Sequence, residues 1–187
     1  FLSRRGSLTQ AVLCTGSLAM NAGCGTAVLL DQGLTCTGQA RWRAGLGDAA
    51  WPCVDEWARF IAEPDASLER SGLLSMVAAE HGLRERAPGL GLCTRESPPE
   101  TPVAWFRWFE HLESGPARLD HVRRRLRSLD AGIVEVKVRG AAADADAWSR
   151  ELRGEGQQPL VVLVHRIGSG AEAVIARRLP AVATSAE

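Results

Sequence analysis

The chain has 187 residues, of which 45% are hydrophobic and 24% are charged, values typical of a globular protein. Its formal net charge is zero, so no overall field attracts nucleic acid and any such binding must depend on a local patch. No apolar run reaches the roughly 18 residues of a membrane span, and no signal peptide is recognisable. The five cysteines match no metal or redox spacing, which favours a reduced protein of the cytoplasm.

The first 62 residues predict strands. Two apolar runs, TQAVLCTG and GTAVLL, flank the small-residue segment SLAMNAGC and are typical of an antiparallel pair. Two strands alone are marginal, so they indicate a larger sheet whose other strands lie upstream. Because the chain begins at Phe1 within a structured-looking segment, we expect it to be a piece of a longer protein. Residues 34–56, rich in Gly and Trp, predict an irregular excursion or another strand pair.

A helix is the clearest prediction for residues 63–115. Asp65 is suited to cap a helix whose apolar positions recur through residues 68–78, and Gly82 is suited to end it. A proline-rich loop follows, with a short strand near residues 90–94. The run VAWFRWFEHLE fits a strand or a buried helix, and its Trp and Phe content favours a strand.

Residues 116–180 predict a small unit that alternates helices and strands. Leucine and valine recur on one face of a helix over residues 117–129. The elements after it are a strand at IVEVKV, a helix at residues 144–153, a strand at 160–164 and, beyond a Gly168-Ser169-Gly170 turn, a strand at 173–176. Residues 181–187 are expected to form a disordered tail.

Four motifs occur in the order and approximate spacing of one known family. They are SRRGSLTQAVL at the start, AEPDASLERSGLLSMVAAEHGL in the middle, then the PPETP loop and VEVKVRG. The set resembles bacterial class I S-adenosylmethionine-dependent methyltransferases that end in a THUMP-like domain, and the resemblance covers nearly the whole chain. It departs after Arg139-Gly140, where AAADADA replaces the family's hydrophobic and acidic residues.

This resemblance implies an α+β fold in which late strands of a Rossmann-like methyltransferase sheet precede a small THUMP-like α+β domain. Residues 1–62 would be the C-terminal strands of that sheet, residues 63–115 a connecting helix-strand region and residues 116–180 the THUMP-like domain. The resemblance also implies S-adenosylmethionine as cofactor, held by an acidic-Gly-x-Gly loop upstream of Phe1. No catalytic or cofactor-binding residue is therefore assigned in this chain.

The segment Asn21-Ala22-Gly23-Cys24-Gly25-Thr26 looks like such a cofactor loop, because glycines let the backbone approach a ligand. A cofactor loop of this kind leaves a strand and opens a helix, yet here the strand-like run AVLLD follows. We therefore interpret the segment as a connection between two strands.

The densest cationic cluster lies on the helix predicted at residues 117–129, with two more cations after it. If helix and strand pack side by side, these side chains converge on a phosphate backbone, the footprint of a nucleic-acid site. The resemblance to RNA-binding THUMP domains implies structured RNA as the partner, whereas the alternative is an ordinary solvated helix face. The predicted nucleic-acid-binding residues are Arg123, Arg124, Arg125, Arg127, Lys137 and Arg139.

Other side-chain groups give no site. The aromatic run from Trp105 to Phe109 is typical of a core, and the four histidines lack the spacing of a metal site. The leading hypothesis is the C-terminal portion of an S-adenosylmethionine-dependent methyltransferase, whose THUMP-like domain presents RNA to an upstream catalytic domain. The alternatives are a non-catalytic RNA- or protein-binding module and a tail that only stabilises the enzyme.

Overall fold

The fold is given by a computed structural model that describes residues 1–15, 23–40, 51–99 and 103–180. The chain divides into two compact units. The first comprises residues 1–55 and 62–107, and the second comprises residues 56–61 together with those from 108 onward. Helices and strands occur in both units, which confirms the expected α+β class.

The first unit is built mainly from short strands. Its strands are β1 (Leu2–Arg4), β2 (Ser7–Gln10), β3 (Cys24–Leu29), β4 (Leu34–Gln39), most of β5 (Phe60–Pro64), β6 (Arg84–Glu85) and β7 (Cys93–Arg95), and its helices are α1 (Ala66–Arg70) and α2 (Leu74–Glu80). One sheet has the order β2-β1-β3-β4, with β1 parallel to β3 and the other two pairs antiparallel. The strands β6, β7 and β5 are neighbours in that order.

The predicted pairing of TQAVLCTG with GTAVLL is wrong, because β1 lies between β2 and β3. The reason is a turn at Arg5-Gly6, where both residues have positive φ (51° and 77°) and the chain folds β2 back on β1. β2 ends at Gln10, so the apolar residues that follow it are not part of a strand. The segment predicted at residues 34–56 contains β4, while its residues 41–50 lie outside the described part of the chain.

Asp65 caps α1 as predicted. Its Oδ1 accepts hydrogen bonds from the amide of Ser67 at 2.8 Å, the hydroxyl of Ser67 at 2.7 Å and the hydroxyl of Ser3 at 2.5 Å, all of them buried. The single helix predicted here is wrong, because Gly72 adopts a φ of 76° and separates α1 from α2. Gly82 follows α2 with a φ of 62°, as expected of a residue that ends a helix.

The second unit contains the elements predicted for residues 116–180 and the strand before them. They are β8 (Phe106–Pro116), which begins two residues before the unit, α3 (Leu119–Ser128), β9 (Ala131–Val138), α4 (Ala145–Leu152), β10 (Gln158–Ile167) and β11 (Gly170–Arg178). The strand order is β8-β11-β10-β9, in which β9 and β10 are parallel and the other pairs antiparallel. The choice of a strand for VAWFRWFEHLE is confirmed by β8. The tail predicted at residues 181–187 lies outside the described residues.

Helices α3 and α4 cover one face of this sheet. Val122 and Leu126 of α3 and Leu152 of α4 are each only 2% exposed and pack against alternate residues of β9, β10 and β11. The Asp144 side chain caps α4 by accepting a hydrogen bond from the amide of Ala147 at 3.0 Å. Among the helices that the structure describes, none combines the length and apolar character needed to cross a membrane.

Three glycines allow the segment after α4 to pass close to the start of β9. The amide of Gly154 donates to the carbonyl of Gly132 at 3.0 Å, and that of Gly156 to the carbonyl of Ala131 at 3.0 Å. A Cβ atom at Gly132 would lie 2.1 Å from the carbonyl oxygen of Gly156. Any side chain there would therefore push the two backbones apart.

Candidate nucleic-acid interface

The amphipathic pattern of α3 determines which of its arginines face outward. Val122 and Leu126, four residues apart, point into the core, as residues one helical turn apart do. The four arginines of the predicted site occupy the remaining positions between residues 123 and 127. Ion pairs with neighbouring carboxylates then determine how far each guanidinium is available to a ligand.

Arg123 links α3 to α4. Its Nη2 donates to Glu151 Oε2 at 2.6 Å, its Nε to the Glu151 carbonyl at 3.3 Å and its Nη1 to Asp120 Oδ1 at 3.1 Å. The side chain is 29% exposed, so two carboxylates share one partly buried guanidinium. Arg123 therefore has a structural role in this geometry.

Arg125 is also paired within the unit. Its Nε lies 2.5 Å from Glu113 Oε1 on β8, and this hydrogen bond and charge raise the pKa of Arg125. The pair connects the helix to the sheet beneath it. Half of the helix arginines predicted to bind nucleic acid are thus engaged by carboxylates from other elements.

Arg124 and Arg127 are different, because both are exposed and no ion pair with a described residue holds either of them. They lie three residues apart, which places their side chains on neighbouring positions of the helix surface. Two guanidinium groups that face water with their hydrogen-bond donors available are suited to binding phosphate. These two residues are the part of the predicted cluster that α3 presents outward.

Lys137 lies on the opposite face of the sheet. The valines of β9 pack against the helices, and successive strand residues alternate between the faces, so Glu135 and Lys137 point away from α3. There Lys137 Nζ lies 6.0 Å from the centre of the Phe109 ring and 3.8 Å from Glu135 Oε1. Arg139 follows the strand and is half-buried. The structure therefore does not bring Lys137 and the α3 arginines together on one surface.

A buried polar cluster that the sequence analysis missed lies in the second unit. Glu172 Oε2 accepts from the indole Nε1 of Trp57 at 3.0 Å and lies 3.0 Å from His165 Nε2. The Trp57 and His165 rings meet edge to face at 5.5 Å, and His165 is fully buried. The signal was available, since the turn at residues 168–170 places His165 opposite Glu172 in the hairpin. Within the described residues, no three His, Cys, Asp or Glu side chains are grouped to hold a metal ion.

From Gly23 onward, the glycine-rich segment lacks the strand-to-helix form of a cofactor loop. Gly23, with a φ of 81°, leads directly into β3, and a strand rather than a helix begins at Cys24. A Cβ atom at Gly25 would lie 2.1 Å from the carbonyl oxygen of Ser71, so this glycine serves close packing of the backbone. The interpretation as a connection between strands is wrong for residues 24–26, which belong to β3, while Asn21 and Ala22 lie outside the described residues.

Known proteins share this architecture. Residues 106–178 match the family described as THUMP domain-like. Uncharacterized S-adenosylmethionine-dependent methyltransferases from two strains of Mycobacterium tuberculosis are each 32% identical over 169 residues, which cover 90% of this chain and 44% of theirs. A crystal structure of a protein assigned as a methyltransferase in Porphyromonas gingivalis W83 superposes with a TM-score of 0.64 at 15% identity, covering 96% of this chain and 45% of that one.

The fold of β8 to β11 with α3 and α4 is thus that of a THUMP-like domain. As the resemblance predicted, the chain contains a THUMP-like domain and is similar over most of its length to proteins named as S-adenosylmethionine-dependent methyltransferases. It spans less than half the length of the curated relatives it matches.

Proposed function

We propose that this chain is the C-terminal portion of an S-adenosylmethionine-dependent methyltransferase, and that its THUMP-like domain presents structured RNA to a catalytic domain upstream. In this proposal residues 1–62 supply the last strands of the methyltransferase sheet, residues 63–115 connect, and residues 116–180 hold the substrate. The mycobacterial relatives, whose names state the activity, support the enzymatic part. The reducing cytoplasm is the proposed compartment, in keeping with five free cysteines.

The exposure of Arg124 and Arg127 is the observation that carries the RNA part of the proposal. Phosphate contacts supply most of the sequence-independent affinity for nucleic acid, and the guanidinium fork matches the geometry of a phosphate. Folded RNA is recognised mainly through its shape and its phosphate and sugar groups. Two outward arginines on one helix are suited to such contacts.

We assign no site for the methyl donor among the described residues. S-adenosylmethionine supplies an electrophilic methyl group when bound, but the glycine-rich segment that resembles a cofactor loop is a tightly packed strand. The described part of this segment therefore does not fit the cofactor, and we assign no chemical step to the described residues. Their proposed task is to bind the substrate and fix its orientation.

Binding of an RNA hairpin by the 187-residue chain over a range of salt concentrations tests the RNA part. Replacing Arg124 and Arg127 with Ala is expected to weaken binding and to flatten the salt dependence by about one in slope per lost contact. Arg123→Ala is the control for each single substitution, because it removes one positive charge from the same helix. Its guanidinium is already shared by Asp120 and Glu151, so we expect a smaller change.

Unchanged affinity and slope in the double variant would refute the assignment of this surface. Methyl transfer by the full-length protein, with and without the two substitutions, tests the enzymatic part. Loss of RNA methylation in the double variant, with cofactor binding intact, supports presentation of substrate by this domain. RNA binding without any methyl transfer by the full-length protein would favour the non-catalytic binding module instead.

A further inference from the structure

The outer edge of β9 carries backbone groups that no described strand uses. β9 is the last strand in the order β8-β11-β10-β9, and β10 is its one neighbour among the described strands. The amide of Arg139 donates to Val164 of β10 at 2.8 Å, so odd-numbered residues direct their backbone groups toward β10. By the alternation of a strand, the amides and carbonyls of Val134, Val136 and Val138 point outward. Such an edge is a template for another strand.

The described residues cover only the start of this edge. The segment after α4 bonds to the carbonyls of Ala131 and Gly132, and the described residues leave the edge from residue 133 onward open. Ile133 is 74% exposed, which is unusual for a large apolar side chain on a strand at the edge of a sheet. The edge therefore combines unused hydrogen-bonding groups with an exposed apolar side chain.

We propose that β9 pairs antiparallel with β9 of a second copy of this chain, around a two-fold axis at Val136. This inference is independent of the function proposed above. In this arrangement Val136 faces its own counterpart, and Val134 faces Val138, so that outward backbone groups meet outward backbone groups. Glu135 then lies opposite Lys137 of the other copy, and Lys137 opposite its Glu135. The strand is thus complementary to itself in charge.

Neighbouring registers are less favourable. A shift that moves the axis to residue 135 places Glu135 against Glu135, and one that moves it to residue 137 places Lys137 against Lys137. Like charges directly opposite each other destabilise a strand pair. Registers in which the axis lies between two residues would set outward groups against inward ones. Glu135 already binds Arg178 at 2.5 Å, but a carboxylate accepts several hydrogen bonds and retains capacity for a second cation.

Sedimentation equilibrium of the 187-residue chain tests the pairing. The wild-type chain is expected to sediment as a species of twice its 20.1 kDa mass. Glu135→Lys and Lys137→Glu each place like charges opposite each other, so each variant alone is expected to associate about tenfold more weakly or worse. An equimolar mixture of the two variants is expected to recover the dimer, because an all-basic edge then meets an all-acidic one.

The mixture separates the proposal from misfolding, because a variant that fails to fold recovers nothing on mixing. Arg150→Glu on α4 is the control for a change of charge away from the edge, and it should leave the dimer intact. Recovery in the mixture, with monomers in the separate variants, supports the pairing. A monomeric wild-type chain, or a dimer insensitive to both substitutions, would overturn it.

Discussion

Removal of the Glu172 carboxylate is expected to destabilise the second unit strongly. Its Oε2 lies 3.0 Å from both the Trp57 indole nitrogen and His165 Nε2. A carboxylate only accepts, so His165 donates through Nε2 in this pair. The residue is largely buried, with 20% of its side chain exposed, and His165 is fully buried. Glu172→Ala would therefore leave two donors without their acceptor in a place that water reaches poorly.

The size of the effect follows from these two bonds. A buried donor that loses its partner costs about 1–3 kcal/mol, so we expect Glu172→Ala to lower the free energy of unfolding by about 3 kcal/mol. Glu172→Gln keeps an oxygen at the same place but removes the charge, and about half of that loss is expected. For a protein with a total stability of about 5–15 kcal/mol, either change is readily measured.

Urea unfolding followed by circular dichroism provides the measurement. Glu151→Ala is the control, since Glu151 also accepts a short hydrogen bond but is 57% exposed, and about 1 kcal/mol or less is expected for it. A cost for Glu172→Ala no larger than that for Glu151→Ala would contradict the importance of these two hydrogen bonds. An equal cost for Glu172→Gln and Glu172→Ala would contradict it as well. Gln keeps an oxygen at the same place, so the loss of hydrogen bonds would then not explain the lower stability.

Two further predictions concern the same unit. Gly132→Ala should clearly lower the urea concentration at the midpoint of unfolding, because the new Cβ would lie 2.1 Å from the Gly156 carbonyl oxygen. Gly170→Ala is the control and should change the midpoint little, since the nearest atom to its Cβ would be 3.7 Å away. Equal midpoints for the two variants would contradict the close packing at Gly132. Burial lowers the pKa of His111 from its usual 6.5, although Glu172 and Glu113 act in the opposite direction. The folded protein therefore favours the neutral imidazole, and the stability that this group contributes above pH 6.5 is lost as the pH falls below that value. Unfolding measured above and below pH 6.5 should therefore show a smaller drop in His111→Gln than in the wild-type chain, and equal drops would be evidence against this role.

The second unit was predictable because its signals are local. Asp144 stands where the cap of α4 must be, the alternation in IVEVKV defines β9, and the turn at residues 168–170 lies between two apolar runs. Each of these features depends on residues within one turn or one strand. Neighbouring elements of such a chain pair with each other, so the order β11-β10-β9 follows with little further information.

Several features of the first unit could not be predicted from local sequence signals. Arginine is not a residue that signals a reversal, yet Arg5 adopts a positive φ and sends β2 back onto β1. The parallel pairing of β1 with β3 depends on contacts between segments that are far apart in sequence. Gly72 interrupts an otherwise regular helical pattern, and a single glycine within such a pattern does not by itself predict a break.

The positions of the cations relative to one another could be predicted only in part, for a related reason. A sequence shows the arginines of α3 side by side, but the carboxylates that engage two of them belong to β8 and α4. Counting cations along the helix therefore overestimates the charge available to a ligand. The position of Lys137 was equally hidden, because the face of β9 that packs on α3 is defined by its valines.

The buried hydrogen bond between Ser3 and Asp65 joins residues separated by 62 positions along the chain. Closing so long a loop costs entropy before the contact is made, and contacts distant in sequence slow folding. The hairpin of β10 and β11, by contrast, closes through one short turn. The β10–β11 hairpin thus forms from adjacent residues, whereas the Asp65 carboxylate that caps α1 gains its bond from Ser3 only after β1 has docked. We therefore expect the hairpin of β10 and β11 to form before β1 docks against α1, although β1 is synthesised earlier.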